Sequence, residues 1–281
     1  MRIVGSGIAG ATGRLTSHAV RAAWRQRSLF FKLLARDFAE RYRGSYLGML
    51  WSFILPLLSL LVFTFFFGVI FKMRWTGLDN ASLSSLGLVL FIGLALYNFF
   101  AEGISRAPAL IVGRPNYVKS VVFPLEILPA VMVSSAFLIL SATLLLILIV
   151  QAVWGAGLSG AVWLLPVVLL PLLGFVLGLS WFLAALGVYI RDIQHLIVPL
   201  VQLTMFLSPV FYPLSALPEG LQSWLRLNPL AVVIEQTRAL ILFGHAPDWM
   251  AYFGCLGVSL IVMLLGLSWF SRTRKGFADV L

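Results

Sequence analysis

Six apolar stretches, near residues 48–71, 86–105, 125–150, 163–190, 196–213 and 250–270, leave this 281-residue chain few ways to fold. Each supplies close to the ~20 residues that carry a helix across a hydrocarbon layer roughly 30 Å thick. Lipid offers no hydrogen bonds, so the backbone of such a stretch pairs within itself and becomes helical. Composition agrees: the chain is 61% hydrophobic and 11% charged, with a mean hydropathy of +1.01, whereas soluble domains carry about a quarter charged residues. The fold class is therefore an all-α membrane protein with six transmembrane helices. Residues 1–47 form a cytoplasmic N-terminus with an amphipathic interfacial helix, 48–275 a transmembrane domain, and 276–281 a cytoplasmic tail. Residues 1–43 hold nine Arg or Lys and no uninterrupted apolar core, so the first stretch reads as a retained helix rather than a cleaved signal. The lone cysteine, Cys255, falls in the last stretch and excludes an intramolecular disulfide or a thiolate cluster.

Basic residues divide unevenly between the two sets of loops. Arg2, Arg14, Arg21, Arg25, Arg27, Lys32, Arg36, Arg41 and Arg43 precede the first stretch; Arg106, Arg114 and Lys119 follow the second; Arg191 follows the fourth; Arg272, Arg274 and Lys275 follow the sixth. That puts sixteen of twenty on one side and leaves Lys72, Arg74, Arg226 and Arg238 for the other. The positive-inside bias then places both termini in the cytoplasm. A net charge of +10 suits anionic headgroups and an acidic partner surface. No nucleic-acid motif or zinc spacing accompanies it, so nucleic acid is not an expected partner.

Residues 24–43 interleave Trp24, Leu29, Phe30, Leu33, Leu34, Phe38 and Tyr42 with basic and acidic residues at spacings of three and four. This pattern makes a helix lying along the membrane surface; a basic tail serving orientation alone is the alternative. Gly44 and Gly48 mark a sharp turn into the first span. Between the second and third spans, Pro108, Gly113 and Pro115 bound a short interfacial helix with Arg114, Asn116, Tyr117 and Lys119 at the water boundary, either a lever or a passive loop. Arg191 and Asp192 make a tight turn after the fourth span, as helix caps or as a partner contact. From Pro209 to Gly244 the chain is too broken for one span and too apolar for a loop. It reads as two short re-entrant or gate helices, near 219–226 and 230–243, on the non-cytoplasmic side between spans five and six.

Phe63, Phe66, Phe67 and Tyr97 are aromatic candidates for a transport path, with Trp51 nearer its entry; each ring alone is equally suited to packing. Glu102 and Glu126 lie near cytoplasmic ends, within reach of Arg106 or Lys119, and Glu235 lies one turn from Arg238. Three scattered histidines provide no metal site, and no GxxxxGK[ST] phosphate loop occurs. The chain thus reads as a membrane subunit that borrows energy from another polypeptide.

RDFAERYRGSYLGMLWSFILPLLSLLVFTFFFGVIF, GRPNYVKSVVFPLEILP, RDIQHLIVPLVQLTMFLSPVFYPLSALP and LNPLAVVIEQTRALILFG, in that order, resemble the ABC-2 type permease family that exports O-antigen, capsular polysaccharide or teichoic acid. The resemblance runs from about residue 30 to 275 and departs in termini and loops. It implies a homodimer in the bacterial inner membrane, joined to two ATP-binding subunits that bind ATP and Mg. The dimer would extrude an undecaprenyl-diphosphate-linked polymer through a channel between its copies. It further implies an entry gate at Arg36, Asp37, Arg41, Tyr42 and Arg43, and coupling segments at Arg114, Asn116, Tyr117, Lys119, Arg191 and Asp192. The outer gate would include Leu217, Leu221, Trp224, Asn228, Glu235 and Arg238. Export of a small molecule by the same two-component architecture is the alternative, followed by a membrane scaffold without transport.

Overall fold

A computed structural model describes residues 27–44, 46–70, 83–119, 123–154, 157–225 and 227–281. All regular structure among these residues is helical. Helix α1 spans Arg27–Tyr42; Trp24, expected at its start, lies outside the described residues. Gly44 and Gly48 both adopt positive φ, 83° and 49°, a region that side chains disfavour. They turn the chain into α2, Trp51–Phe63, which runs through Pro56 and continues in wider, i→i+5 turns over Thr64–Ile70.

Among the described residues four helices are long and apolar enough to cross a bilayer: α3 (Leu83–Arg106), α6 (Ile127–Trp154), α7 (Leu165–Tyr189) and α11 (Trp249–Thr273). Between α3 and α6 lie two single turns, α4 (Ala109–Val112) and α5 (Pro115–Val118). Helix α8 (Ile193–Phe206) has 14 residues, or about 21 Å, and stops short of the expected 196–213. Pro209 explains the stop, because it lacks an amide hydrogen and disfavours helical geometry in the residue before it. Two short helices follow, α9 (Glu219–Leu225) and α10 (Pro229–Leu242), close to the expected bounds. The chain ends in α12, Phe277–Val280, where Phe277 is fully buried against Phe270 and Tyr189.

Helix α3 is the central post. Of its most apolar 18 residues 78% are buried, against 22% for the helix that includes α11, which turns its apolar side chains outward. Helix α10 is also interior: Leu230, Val233, Ile234, Leu240 and Ile241 are each at most 1% exposed. Helices α7 and α11 meet at glycines, and a Cβ on Gly178 would lie 2.6 Å from the Met263 backbone. Small residues at such crossings let helix backbones approach closely in lipid.

Helices α3, α7 and α11 all end, and α6 begins, on the same side of the bundle. One end of the bundle gathers Arg106, Arg274 and the close of α7, where the Tyr189 hydroxyl donates to the Thr273 carbonyl at 2.8 Å. Glu126 pairs there with Arg274, in place of the Lys119 or Arg106 suggested by sequence proximity. This is called the charged end below, and the opposite one the far end.

Candidate functional site

At the charged end α1 presents a stripe of half-buried Leu29, Phe30, Leu33, Leu34 and Phe38 inward, and its next turn places Asp37 there as well. The Asp37 side chain is only 3% exposed. A carboxylate so placed persists when it is paired and hydrogen-bonded. Arg106 of α3 donates to both its oxygens at 3.2 and 3.5 Å, and Arg114, at the start of α5, donates at 3.2 Å. Arg41 stands 3.9 Å away, donates to the Ser135 hydroxyl of α6 at 3.1 Å, and pairs with Glu102. Glu102 also accepts from Arg106 at 2.9 Å. Glu40 accepts from Arg36 at 2.7 Å and lies 3.9 Å from Arg114. The hydrogen bond to Glu40 holds the Arg36 guanidinium above its ordinary pKa.

Three carboxylates thus face four guanidiniums across α1, α3 and the α4–α5 elbow. Arg36, Asp37 and Arg41 lie far from Arg114 in the sequence; the fold brings Arg114 to Asp37, which Arg41 also approaches, and to Glu40, the partner of Arg36. Ser135 was missed, and nothing in its apolar surroundings signals the contact. Arg43 is exposed, and Tyr42 ends the helix.

Beneath this network a cavity of about 490 Å³ opens among α2, α3 and α6. Arg41, Glu102 and Arg106 form its polar part, Trp51, Asn98, Ser59 and Thr143 line it further, and Phe91, Phe99 and Leu140 make it largely apolar. On the elbow, Tyr117 stacks on Phe123 at 4.5 Å, whereas Asn116 and Lys119 are exposed. Arg191 and Asp192 are exposed in the turn before α8; Asp192 occupies the N-cap without a side-chain bond to the helix.

The aromatic candidates occupy different settings. Phe66 is 46% exposed. Phe67 stacks on Phe63 and on Phe211, and Phe63 meets Phe211 at a tilt of 36°, with centroids 5.6–6.0 Å apart. Tyr97 is buried, and its hydroxyl donates to the Val201 carbonyl of α8 at 3.1 Å. Phe211 completes the cluster from the broken stretch, too distant in sequence for spacing to reveal it.

Toward the far end, Arg238 of α10 is 2% exposed. Its guanidinium donates to the Val89, Pro209 and Val210 carbonyls at 3.0, 2.6 and 2.7 Å, and to Glu235 at 3.0 Å. The slot exists because α3 carries Gly93 here: a Cβ would sit 2.6 Å from Nη2 and 3.0 Å from the Val210 carbonyl. Arg238 therefore satisfies the backbone that Pro209 breaks, as buried irregular chain requires. Asn228 caps α10 by accepting from the Leu230 amide at 3.0 Å, and its amide donates to buried Ser208 at 3.2 Å. Leu217 is half-buried, while Leu221 and Trp224 are exposed.

A sequence model of the ABC-2 type transporter family matches residues 28–242, from α1 to the end of α10. The chain is 31% identical over 262 residues to the O-antigen export system permease protein RfbA of Myxococcus xanthus, covering 92% of this chain and 98% of that one. It is 25% identical over 248 residues to the permease of the same name from Klebsiella pneumoniae, covering 88% and 92%. It is also 25% identical over 247 residues to the polysialic acid transport protein KpsM of Escherichia coli, covering 86% and 92%. The match spans the ionic network, the elbow and the buried arginine alike, and this multi-pass membrane chain belongs to the ABC-2 type transporter family.

Proposed function

We infer that this chain is the channel-forming subunit of an ATP-driven exporter that carries undecaprenyl-diphosphate-linked polysaccharide, O-antigen foremost, across the bacterial inner membrane. The observation that carries this reading is the similarity to an O-antigen export permease over 98% of that protein's length. Family membership implies separate ATP-binding subunits, and in this reading they bind ATP and Mg. Two copies of the chain enclose the polymer.

The charged end faces the cytoplasm, in keeping with its share of the basic residues. Helices α2, extended by its wide turns, and α8, extended by the arginine-held stretch, serve as the first and fifth of six spans. Helices α9 and α10 form the outer gate. On the cytoplasmic side the ATP-binding subunits push on the α4–α5 elbow and on Arg191–Asp192. Asp37, bonded to the elbow through Arg114 and to α3 through Arg106, passes that motion to α1 and opens the entry. Aromatic rings along α2 hold sugar faces weakly at many places, since one deep site would stall a sliding polymer.

Reconstitution with the ATP-binding partner and a fluorescent lipid-linked glycan tests this reading. ATP-dependent movement of the glycan to the opposite side is the expected result. Movement of a small amphiphile with no glycan transfer would reassign the chain as a small-molecule exporter.

A further inference from the structure

Close to the charged end, α7 and α11 enclose a second hollow, a trough of about 390 Å³. Its floor is the glycine crossing, where Gly178 and Gly266 approach backbone to backbone and contribute no side chains. Phe182 and Trp269, 5.7 Å apart, form its aromatic wall, both partly exposed. Arg272 closes it toward the end of the bundle. Trp269 and Arg272 stand three residues apart and so share one face of α11. From Val262 to Arg272 the helical rise is about 15 Å, half the hydrocarbon thickness, which is the depth of one leaflet. Arg272 forms no ion pair among the described residues, unlike Arg274, which is paired with Glu126.

We propose that this trough binds an anionic glycerophospholipid, with an acyl chain laid over the glycine crossing and the phosphodiester on Arg272. Each part of the site matches a part of that molecule. The apolar floor takes the chain, and the indole sits at headgroup level where tryptophan gathers. A guanidinium at the membrane boundary attracts an anionic headgroup and, being planar, suits phosphate geometry. The bound lipid would fill the trough beside the close-packed glycine crossing, bracing the α7–α11 pair. The inference needs only that these two helices face lipid, so it stands or falls separately from the identity of the exported cargo.

The test uses the purified full-length chain in nanodiscs and phosphatidylglycerol with a photoactivatable diazirine in its acyl chain. Labelling is mapped by peptide and competed with unlabelled phosphatidylglycerol or phosphatidylcholine. Expected are labels concentrated on the α7 and α11 peptides around Phe182 and Trp269, displaced about five-fold more effectively by phosphatidylglycerol. Arg272→Gln should erase that preference while leaving the fold intact, because the side chain is exposed. Ser268→Phe should abolish labelling at these peptides by filling the trough; the Ser268 hydroxyl donates only to Leu265 of its own helix, so no contact between helices is lost. Equal competition by the two lipids overturns the proposal. So does labelling no denser here than on α6, as would follow if a second copy covered the trough, or a preference that survives Arg272→Gln.

Discussion

Replacing Arg238 with methionine removes the donor that satisfies the carbonyls of Pro209 and Val210, which accept from no other described residue. The Val89 carbonyl lies inside α3 and keeps its helical bond. Two buried carbonyls left without donors cost about 1–3 kcal/mol each, and the Glu235 carboxylate loses its partner as well. Methionine returns some packing, so the net loss is about 3–5 kcal/mol. For a domain of this size each kcal/mol lowers the melting temperature by roughly 2–4 °C, which gives a fall of about 10 °C. Arg238→Lys keeps the charge but cannot reach three carbonyls with one compact head, and should lose about half as much. Gly93→Ala attacks the same slot from α3 by pushing Nη2 and the Val210 carbonyl aside, and should resemble the lysine variant. Fluorescence-monitored melting of the purified chain in detergent, with Glu235→Gln as a mild control, measures all four. An Arg238→Met protein melting within about 2 °C of the parent would refute the carbonyl-staple argument.

Other outcomes follow from the same geometry. Asp37→Ala and Arg114→Ala should be non-additive in transport rate and stability, with a coupling of about 1–2 kcal/mol because Arg114 is 26% exposed; additive losses in a double-mutant cycle would count against the shared network. Gly178→Ala should destabilise the α7–α11 pair by about 1–3 kcal/mol through overpacking, read as a lowered melting temperature. A photocrosslinker at Lys119 should capture the ATP-binding subunit more efficiently than one at Tyr117, whose ring is stacked on Phe123; the reverse order would relocate the docking face. Cysteine labels at Arg14, Lys119 and Arg274 should be cytoplasmic, and those at Asp79, Gly155 and Gly220 accessible from outside, in a Cys255-free background; opposite exposure of Lys119 and Arg274 would sink the orientation.

Hydrophobic run length made the long helices legible to within a few residues, because lipid imposes a length on any span. It served α8 less well: the apolar run continues past Phe206, but Pro209 stops the helix, and composition does not register a missing hydrogen bond. The short helices α9 and α10 were readable from their breakers. The burial of α10 was not, since an apolar 14-residue helix looks alike at an interface and in a core. Pairings within one helix turn, Glu102 with Arg106 and Glu235 with Arg238, follow from spacing. Those bridging distant segments, Asp37 with Arg106 and Arg114, Glu126 with Arg274, and Arg238 with the Pro209 carbonyl, depend on tertiary approach that local pattern does not encode.

Burial of α10 between α3, α7 and α11 also dictates an order of assembly. The ribosome delivers α10 before α11, one of its walls, exists, so until α11 has been made the burial of α10 is incomplete. Its arginine can enter the apolar interior only where backbone oxygens already stand ready, and these come from α3 and the stretch after α8, both made earlier. Arrival of α11 then seals the insertion. A chain truncated after residue 244 would hold every ligand of Arg238 yet lack the helix that shuts it in, and membrane quality control would meet it as an exposed, charged hairpin.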